Sequence, residues 1–399
     1  MFAHICGQDR ITQLITQEFT NGELPHALLF YGGAYSGRMT TALETARIIT
    51  CAREGLPACL CEPCRRSRIL EHPYTIVFAN RDFTSLIQAA MHAYQYGRNE
   101  AAKHLVLRSV QLLVKRFDPL FLQRQDATQK KLAVHVTELQ QHLMEFSRED
   151  DRKADRQDRN LKRITSLCVR LTSSIKSGNI PVQAVRSVTS WLMTKPRDIQ
   201  AVVILEGVEH FVDATKNALL KLLEEPPRGV TIMLLSEGKG RIIPTILSRV
   251  RKYAFQERSF AQESSIIRDV YYADGESYDS LPTFFLNEGG LDCRRLRDDA
   301  EFITSSMLGF TAHDYSRLGG ILKQTDEGNT LRQMLAEMLE VVRDFRSEGR
   351  IDLDSYHGIC TIIGAGMREW EEKNQKESLV LESCCYRIMR LSGDAGESL

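Results

Sequence analysis

The chain has 399 residues, of which 43% are hydrophobic and 26% are charged, so it should fold and is too long for one ordinary core. Its 52 Lys and Arg residues balance 52 Asp and Glu residues, which argues against a uniformly basic, nucleic-acid-binding coat. The first residues are interrupted by charges, and no later stretch reaches the roughly 18 apolar residues of a membrane span. We therefore expect a cytoplasmic protein of two or three domains.

The first elements predict a helix, a buried strand and a glycine turn. Apolar residues recur at helical spacing over 10–21, and Gly22 supplies a stop signal. The run ALLFY at 27–31 is continuous and apolar and ends at two glycines, which is typical of a strand buried on both faces. Residues 40–49 then predict the next helix.

The turn after this strand is close to a phosphate-binding loop. Gly32 and Gly37 have the glycine spacing of GxxxxGK[ST], and the position between a strand and a helix is the right one. Arg38 stands where the motif requires Lys, and Met39 stands where a hydroxyl should bind Mg²⁺, although a thioether is a poor ligand for a hard cation. Using Thr40 would spoil the spacing. We therefore expect this degenerate loop to bind neither ATP nor Mg²⁺ productively.

Four of the ten cysteines lie close together, at Cys51, Cys59, Cys61 and Cys64. Because no signal peptide is expected, such a cluster indicates metal more than disulfides. Four thiolates at about 2.3 Å satisfy tetrahedral Zn²⁺ and leave no open coordination position, so the predicted site is structural. The Cys59-x-Cys61 step is short and should strain the loop, which keeps free thiols as the alternative.

Residues of about 84–179 contain long amphipathic periods and almost no Gly or Pro, which predicts a helical insertion. Apolar stripes begin at Leu132 and Leu161, and the mixed-sign run at 147–160 between them is typical of a solvated helix end or link. The insertion has 17 Lys and Arg residues against 10 Asp and Glu residues. This excess predicts a solvated surface, with nucleic-acid binding as the alternative.

Two further apolar runs, at 201–205 and 230–235, predict buried strands on either side of a helix. Strands alternating with helices at this spacing predict a parallel sheet with crossovers. Glu206 and Gly207 follow the first of these strands, where a P-loop ATPase carries an Asp for the metal and usually a Glu that activates water. Glu209 lies further on, and we interpret it as a surface carboxylate at a helix start.

Several stretches together resemble one family. They are ICGQ at 5–8, LPHALLFYGG at 24–33, NALLKLLEEPPRGVTIMLLSE at 217–237 and IIPTILSRV at 242–250. These stretches resemble the bacterial DNA polymerase III clamp-loader subunits. The resemblance covers residues 1–75 and 180–256 well, the C-terminal third only in helical character, and the insertion not at all.

The resemblance implies an α/β fold of the AAA+ class: a P-loop-type parallel sheet with helices on both faces, followed by helical domains. The core domain would be 1–256, with a zinc module at about 51–64, to which the four cysteines are similar, and the insertion at about 84–179. A small helical lid domain would occupy 257–309. An all-helical collar domain for oligomerisation would occupy 310–399.

Loss of the motif Lys, the hydroxyl, the Asp and the base together is similar to the ATP-inert delta-prime group of the family. The family's arginine finger falls on Arg249 in Ser248-Arg249-Val250, where Val250 replaces the usual Cys. The resemblance implies that Arg249 reaches in trans to phosphate bound by a gamma/tau-like ATPase subunit. The implied partners are such subunits and a delta-like subunit in a hetero-pentameric clamp loader, the sliding clamp, and primed DNA through the complex.

Two weaker positions and three alternatives complete these predictions. Ser236 falls on the family's polar sensor and Arg294 or Arg295 on its lid sensor, but structural roles are expected because no nucleotide is expected nearby. The chain could instead be a gamma/tau-like ATPase with residual ATP binding, or a DNA-binding adaptor that acts through the insertion. Arg249 could also be a surface arginine that caps a helix or pairs with an acid.

Overall fold

The computed structural model describes residues 1–2, 4–121, 127–148, 154–175, 180–328, 330–373 and 375–396. The chain divides into two compact units, Met1–Gly290 and Leu291–Leu399. The predicted domain boundaries at 256 and 309 stay predictions. Within the described residues, no helix has the length and apolar character needed to cross a membrane.

One five-stranded parallel sheet organises the first unit. Its strands are β1 (Ala27–Tyr31), β2 (Thr75–Phe78), β3 (Ala201–Glu206), β4 (Val230–Ser236) and β5 (Arg251–Ala254). They lie in the order β2-β3-β4-β1-β5. The three predicted strands are confirmed, and they are buried along almost their whole length because helices cover both faces.

Twelve helices of the described residues belong to the first unit. They are α1 (Asp9–Thr20), α2 (Arg38–Ile49), α3 (Glu62–Arg68), α4 (Phe83–Gly97), α5 (Glu100–Lys115), α6 (Ala127–Arg148), α7 (Ala154–Thr172), α8 (Val182–Thr194), α9 (Asp213–Glu224), α10 (Pro244–Leu247), α11 (Phe260–Tyr271) and α12 (Leu281–Glu288).

Alternate residues of β1 enter two different apolar clusters, because successive side chains of a strand point to opposite faces. Leu28 and Phe30 lie in a cluster with α2, α4 and α5, whereas Leu29 lies in a cluster with α8 and α9. Helices therefore pack on both faces of a parallel sheet, which confirms the predicted α/β architecture of a parallel sheet with helices on both faces.

The stretch predicted as a helical insertion contains α4 to α7. Leu139, Phe146 and Ile164 of α6 and α7 belong to the same buried cluster as Phe30 of the sheet. Ala89 and other residues of α4 pack in a further cluster with α11 and α12. These helices are therefore continuous with the interior of the first unit.

The described residues of the second unit form helices joined by loops, without a strand. Its helices are α13 (Cys293–Met307), α14 (Tyr315–Gly328), α15 (Leu331–Ser347), α16 (Leu353–Lys373) and α17 (Glu377–Gly396). They enclose one apolar core, to which α15 contributes the predicted stripe that includes Leu331, Leu335 and Met338. This confirms the predicted helical character of the C-terminal region.

The carboxyl ends of β1, β3 and β4 meet at one edge of the sheet. Tyr31 at the end of β1 is paired with Ser236 at the end of β4, and Glu206 at the end of β3 is paired with Leu235 of β4. In open parallel sheets, ligands bind outside this edge, where the strand order reverses. The glycine turn and Glu206 therefore belong to one candidate site.

Candidate functional site

The degenerate phosphate loop joins β1 to α2, and its glycines have clear packing reasons. Gly37 is the N-cap of α2 with φ +96°, a left-handed conformation that favours glycine. A Cβ at Gly32 would lie 2.5 Å from the backbone oxygen of Phe255, so no side chain fits there. The loop is therefore packed closely against the segment that follows β5.

Polar contacts fix the loop from the same side. Gln8, in the predicted ICGQ box, donates from Nε2 to the carbonyl oxygens of Ser36 at 3.1 Å and Gln256 at 2.8 Å. Arg258 donates from Nε to Cys6 O at 3.1 Å and from Nη1 to Tyr35 O. A guanidinium group of this chain therefore lies against the loop backbone, where an ATPase uses that backbone to hold an anion.

The side chains at the Lys and hydroxyl positions of the motif contact other residues of this chain. Arg38 donates from Nη2 to the carbonyl oxygen of Gly33 at 3.3 Å, and burial lowers its pKa. Met39 is buried in the apolar cluster beside the sheet, and Thr40 is half-buried. The ring of Tyr35 stacks on Phe285 of α12 with 4.7 Å between centroids, which attaches the loop to the predicted lid.

Glu206 occupies the position of the metal-binding carboxylate, but its oxygens are already used. Its Oε2 accepts from the backbone N–H of Asn80 at 2.9 Å and from Arg81 Nε at 3.1 Å, and its Oε1 accepts from Arg81 Nη2. The Glu206 side chain is 12% exposed and that of Arg81 26% exposed. A two-point arginine contact neutralises the carboxylate and leaves it poorly placed to bind Mg²⁺.

Arg81 was missed by the sequence reasoning. The sequence could have indicated it, because Arg81 comes shortly after β2 and so lies at the same sheet edge as Glu206, but β2 itself was not predicted. Gly207 follows Glu206 with φ +75°, and a Cβ there would lie 2.6 Å from Asn80 Nδ2. Glycine at this position therefore lets the loop after β2 approach the end of β3.

The remaining predicted polar residues make local contacts. Ser236 is buried and donates from Oγ to the carbonyl oxygen of Gly238 at 2.9 Å, and Glu209 accepts from the backbone N–H of Glu237 at 2.8 Å. In the second unit, Arg295 donates to Gln324 Oε1 at 3.0 Å, while Arg294 is exposed. These contacts hold loops and helices together.

Arg249 lies at the surface between α10 and β5. Its side chain is 35% exposed and pairs at 2.7 Å with Glu224, whose side chain is 48% exposed. Its Nη1 donates to Thr245 O at 2.8 Å and contacts Ser248 Oγ at 3.2 Å. The buried side chain of Val250 anchors the backbone next to it. In the chain by itself, Arg249 is therefore a surface arginine paired with an acid.

The four predicted cysteines come together as a cluster around α3. The sulfur atoms of Cys51, Cys59, Cys61 and Cys64 lie within 4.8 Å of one another. Cys51 Sγ is 3.7 Å from Cys59 Sγ and 3.8 Å from Cys61 Sγ. These spacings match the edge of about 3.8 Å of a tetrahedron with metal–sulfur bonds of about 2.3 Å. The four side chains therefore fit a tetrahedral metal ion such as zinc.

The thiols of this cluster differ in acidity. Burial raises the pKa of Cys64 to about 12. At Cys61 burial acts in the same direction, but hydrogen bonds involving the backbone of Cys64 and Ala52 outweigh it and lower the pKa to about 6. Cys61 is therefore ready to bind metal as a thiolate at neutral pH, whereas metal binding at Cys64 releases a proton.

Comparisons with known proteins point to one family. Residues 114–259 match the family described as DNA polymerase III, delta subunit. No curated protein matches the chain. Among solved structures, a DNA polymerase III gamma subunit-related protein from Thermotoga maritima is 16% identical, with 54% of this chain and 81% of that chain covered and a TM-score of 0.31. An identity and TM-score this low carry no argument about function. The matched segment, residues 114–259, is less than half of the chain, and over that segment the chain is similar to DNA polymerase III delta subunits.

Proposed function

We propose that this chain is the non-hydrolysing, delta-prime-like subunit of a DNA polymerase III clamp loader. It supplies Arg249 in trans to nucleotide bound by a neighbouring gamma/tau-like ATPase subunit while the sliding clamp is loaded onto primed DNA. The family match over residues 114–259 supports the clamp-loader assignment. The other proposed partners are a delta-like subunit and the sliding clamp.

The state of Glu206 is the observation that carries the non-hydrolysing part of the proposal. Magnesium would have to compete with a guanidinium for this carboxylate, because both oxygens of Glu206 already accept hydrogen bonds from Arg81 or Asn80. The loop that should hold the phosphates has Arg258 against its backbone and lacks the motif Lys. The chain therefore has a nucleotide-site backbone without the groups that bind and activate MgATP.

The surroundings of Arg249 suit a side chain that changes partners. An exposed ion pair such as Arg249 with Glu224 contributes about 0–1 kcal/mol, so little free energy is lost when it opens. A guanidinium forms stronger, two-point hydrogen bonds with phosphate oxygens. An arginine supplied in trans can be worth on the order of 10³–10⁵ in the rate of phosphoryl transfer. The pair with Glu224 is therefore compatible with an arginine finger that is not yet in contact with a neighbouring subunit's nucleotide.

The four cysteines provide a structural Zn²⁺ site in this proposal. A bound Zn²⁺ would hold together the segment 51–64, whose leucines Leu56 and Leu60 stay exposed and add little burial. In this proposal residues 257–309 form the lid, and residues 310–399, which belong to the second unit, form the oligomerisation collar. A cytoplasmic location stays part of the prediction.

The test of the function is reconstitution of the loader with purified gamma/tau-like and delta-like subunits, clamp and primed DNA. Arg249→Ala and Arg249→Lys should both lower clamp-stimulated ATP turnover and clamp loading, because a Lys cannot make two-point contacts with phosphate. Assembly, measured by gel filtration, should not change.

Arg251→Ala is the matched control. Arg251 lies two residues away, is exposed, and pairs with Glu18 at 3.2 Å, so its loss also removes an arginine–carboxylate pair. ATP turnover in this variant should equal that of the wild type. Unchanged turnover in Arg249→Ala, or equal losses in the Arg249 and Arg251 variants, would contradict the proposed finger.

A further inference from the structure

Arg47 of α2 is one of the largest fully buried side chains of the described residues, with 2% of its surface exposed. It belongs to the helix that follows the phosphate loop, but its contacts are with the four-cysteine cluster. Its Nη1 lies 3.0 Å from Cys64 Sγ, in donor geometry. A buried cation next to a predicted metal ligand requires an explanation, because burying a charge is costly unless it is paired.

Glu44, one turn earlier on α2, fixes the orientation of the guanidinium. Arg47 Nη2 donates to Glu44 Oε1 at 2.7 Å, and Nε donates to Oε2 at 3.0 Å. Both carboxylate oxygens are therefore used in a fork-to-fork contact, which sets the plane of the guanidinium. With Nε and Nη2 occupied by Glu44, Nη1 is the group left to reach the sulfur of Cys64.

The same guanidinium also fixes the loop between the first two cysteines. Arg47 Nη2 donates to the carbonyl oxygen of Gly55 at 2.9 Å. Gly55 has φ +69°, and a Cβ there would lie 3.0 Å from Ile48 Cγ2, so the loop approaches α2 closely. One side chain thus holds the Cys51–Cys59 loop and the Cys64 sulfur in fixed positions relative to α2.

We propose that Arg47 is a positioning residue of the four-cysteine metal site, which donates a hydrogen bond to the Cys64 thiolate while Glu44 holds it in place. This inference rests on the proposed zinc site. Groups that hydrogen-bond to metal ligands fix ligand orientation, and their loss typically costs on the order of 10- to 100-fold in metal affinity. Arg47 also makes the metal site continuous with α2, the helix of the phosphate loop.

The test uses Co²⁺ as a spectroscopic probe in the full-length chain. Tetrahedral thiolate coordination of Co²⁺ gives intense sulfur-to-metal charge-transfer and visible bands, and titration against a competing chelator gives the affinity. Removing a single partner of the buried pair should unfold some of the protein, so the main variant is Arg47→Leu combined with Glu44→Leu, which leaves no buried charge unpaired.

In a Trp370→Phe background, we expect the double variant to fold, as judged by Trp191 fluorescence, and to bind Co²⁺ at least about 10-fold more weakly than its parent. Its charge-transfer band should move to longer wavelength, because a thiolate without the hydrogen bond gives up electron density more easily. A change of packing alone would not shift this band. Arg65→Met is the control, since Arg65 is exposed in the same module and pairs with Glu62 at 3.2 Å.

The possible results separate the two proposals. If the wild type shows no thiolate-to-cobalt bands, the proposed metal site is refuted, and so is the role of Arg47 that depends on it. If the wild type binds Co²⁺ and the double variant has the same affinity and the same band position, the metal site stands and the role of Arg47 is refuted. A loss of affinity in Arg65→Met equal to that in the double variant would also refute it.

Discussion

The contact between Arg81 and Glu206 allows a test in which the sign of a stability change distinguishes two functions. If Glu206 is a structural partner of Arg81, replacing it should destabilise the first unit. If it is instead a carboxylate kept available for Mg²⁺, its removal should be neutral or stabilising, because functional groups are commonly held at a cost in stability. The variant is Glu206→Ala, with Glu206→Gln as the milder change.

The magnitude follows from the contacts of the carboxylate. Removing one partner of a fully buried ion pair costs about 3–5 kcal/mol. Arg81 keeps 26% of its side-chain surface exposed, so water can replace part of the lost contact. We therefore expect Glu206→Ala to lower the free energy of unfolding by about 2–3 kcal/mol and Glu206→Gln by about 1 kcal/mol, since the amide keeps an acceptor oxygen. Replacing both residues by Leu should cost less than Glu206→Ala alone.

The two tryptophans make the assay specific to the first unit. Trp191 of α8 lies in the first unit and Trp370 of α16 in the second. In a Trp370→Phe background, urea unfolding followed by fluorescence therefore reports on the unit that contains Glu206. The structural interpretation would be refuted if the free energy of unfolding of Glu206→Ala lay within about 0.5 kcal/mol of the parent value and Mg²⁺ with ATP stabilised the parent. These two results would instead support nucleotide binding by this chain.

Two further outcomes follow from contacts of the same unit. Gly32→Ala should lower the free energy of unfolding by about 2–3 kcal/mol, because its Cβ would lie 2.5 Å from a backbone oxygen. Gly33→Ala is the control, since its Cβ would lie 3.7 Å from the flexible Glu257 side chain, and its free energy of unfolding should stay within about 0.5 kcal/mol of the wild-type value in the same urea assay. Equal effects would contradict the packing argument. In the reconstituted loader, Glu224→Gln should raise ATP turnover by up to about fivefold, since it removes a pair worth up to about 1 kcal/mol that competes for Arg249. A fall in turnover would show that Glu224 supports the finger.

The sequence was sufficient for the elements whose signal is local. Continuous apolar runs identified β1, β3 and β4, because a strand covered on both faces needs no polar residues. The short strand β2 and the strand order were not predicted, since order depends on which crossovers pack together. The pairing of Arg81 with Glu206 joins residues 125 positions apart, and no local pattern indicates such a contact.

The four-cysteine cluster shows a different limit of sequence reasoning. The short Cys59-x-Cys61 step suggested strain, yet the four sulfur atoms lie together because Cys61 is the N-cap of α3 and Cys64 is on its first turn. A helix turn brings residues three apart to the same side, so Cys61 and Cys64 meet even though the step before Cys61 is one residue short. The role of Arg47 had a weak local signal, a Glu three residues before an Arg in a helix. The burial of Arg47, which makes its pairing with Glu44 necessary, could not be predicted from this pattern.

The shared interior of the insertion has a consequence for how its basic surface can be studied. Excising residues 84–179 would remove α4 and α5 and uncover both the apolar side of the sheet and the surface on which α11 and α12 rest. A loss of DNA affinity after such a deletion could result from unfolding as well as from the missing charges. Exposed cations of α7, such as Lys162 and Arg170, can be exchanged for neutral residues without touching that interior. The question of nucleic-acid contact is thus one of individual side chains on an intact protein.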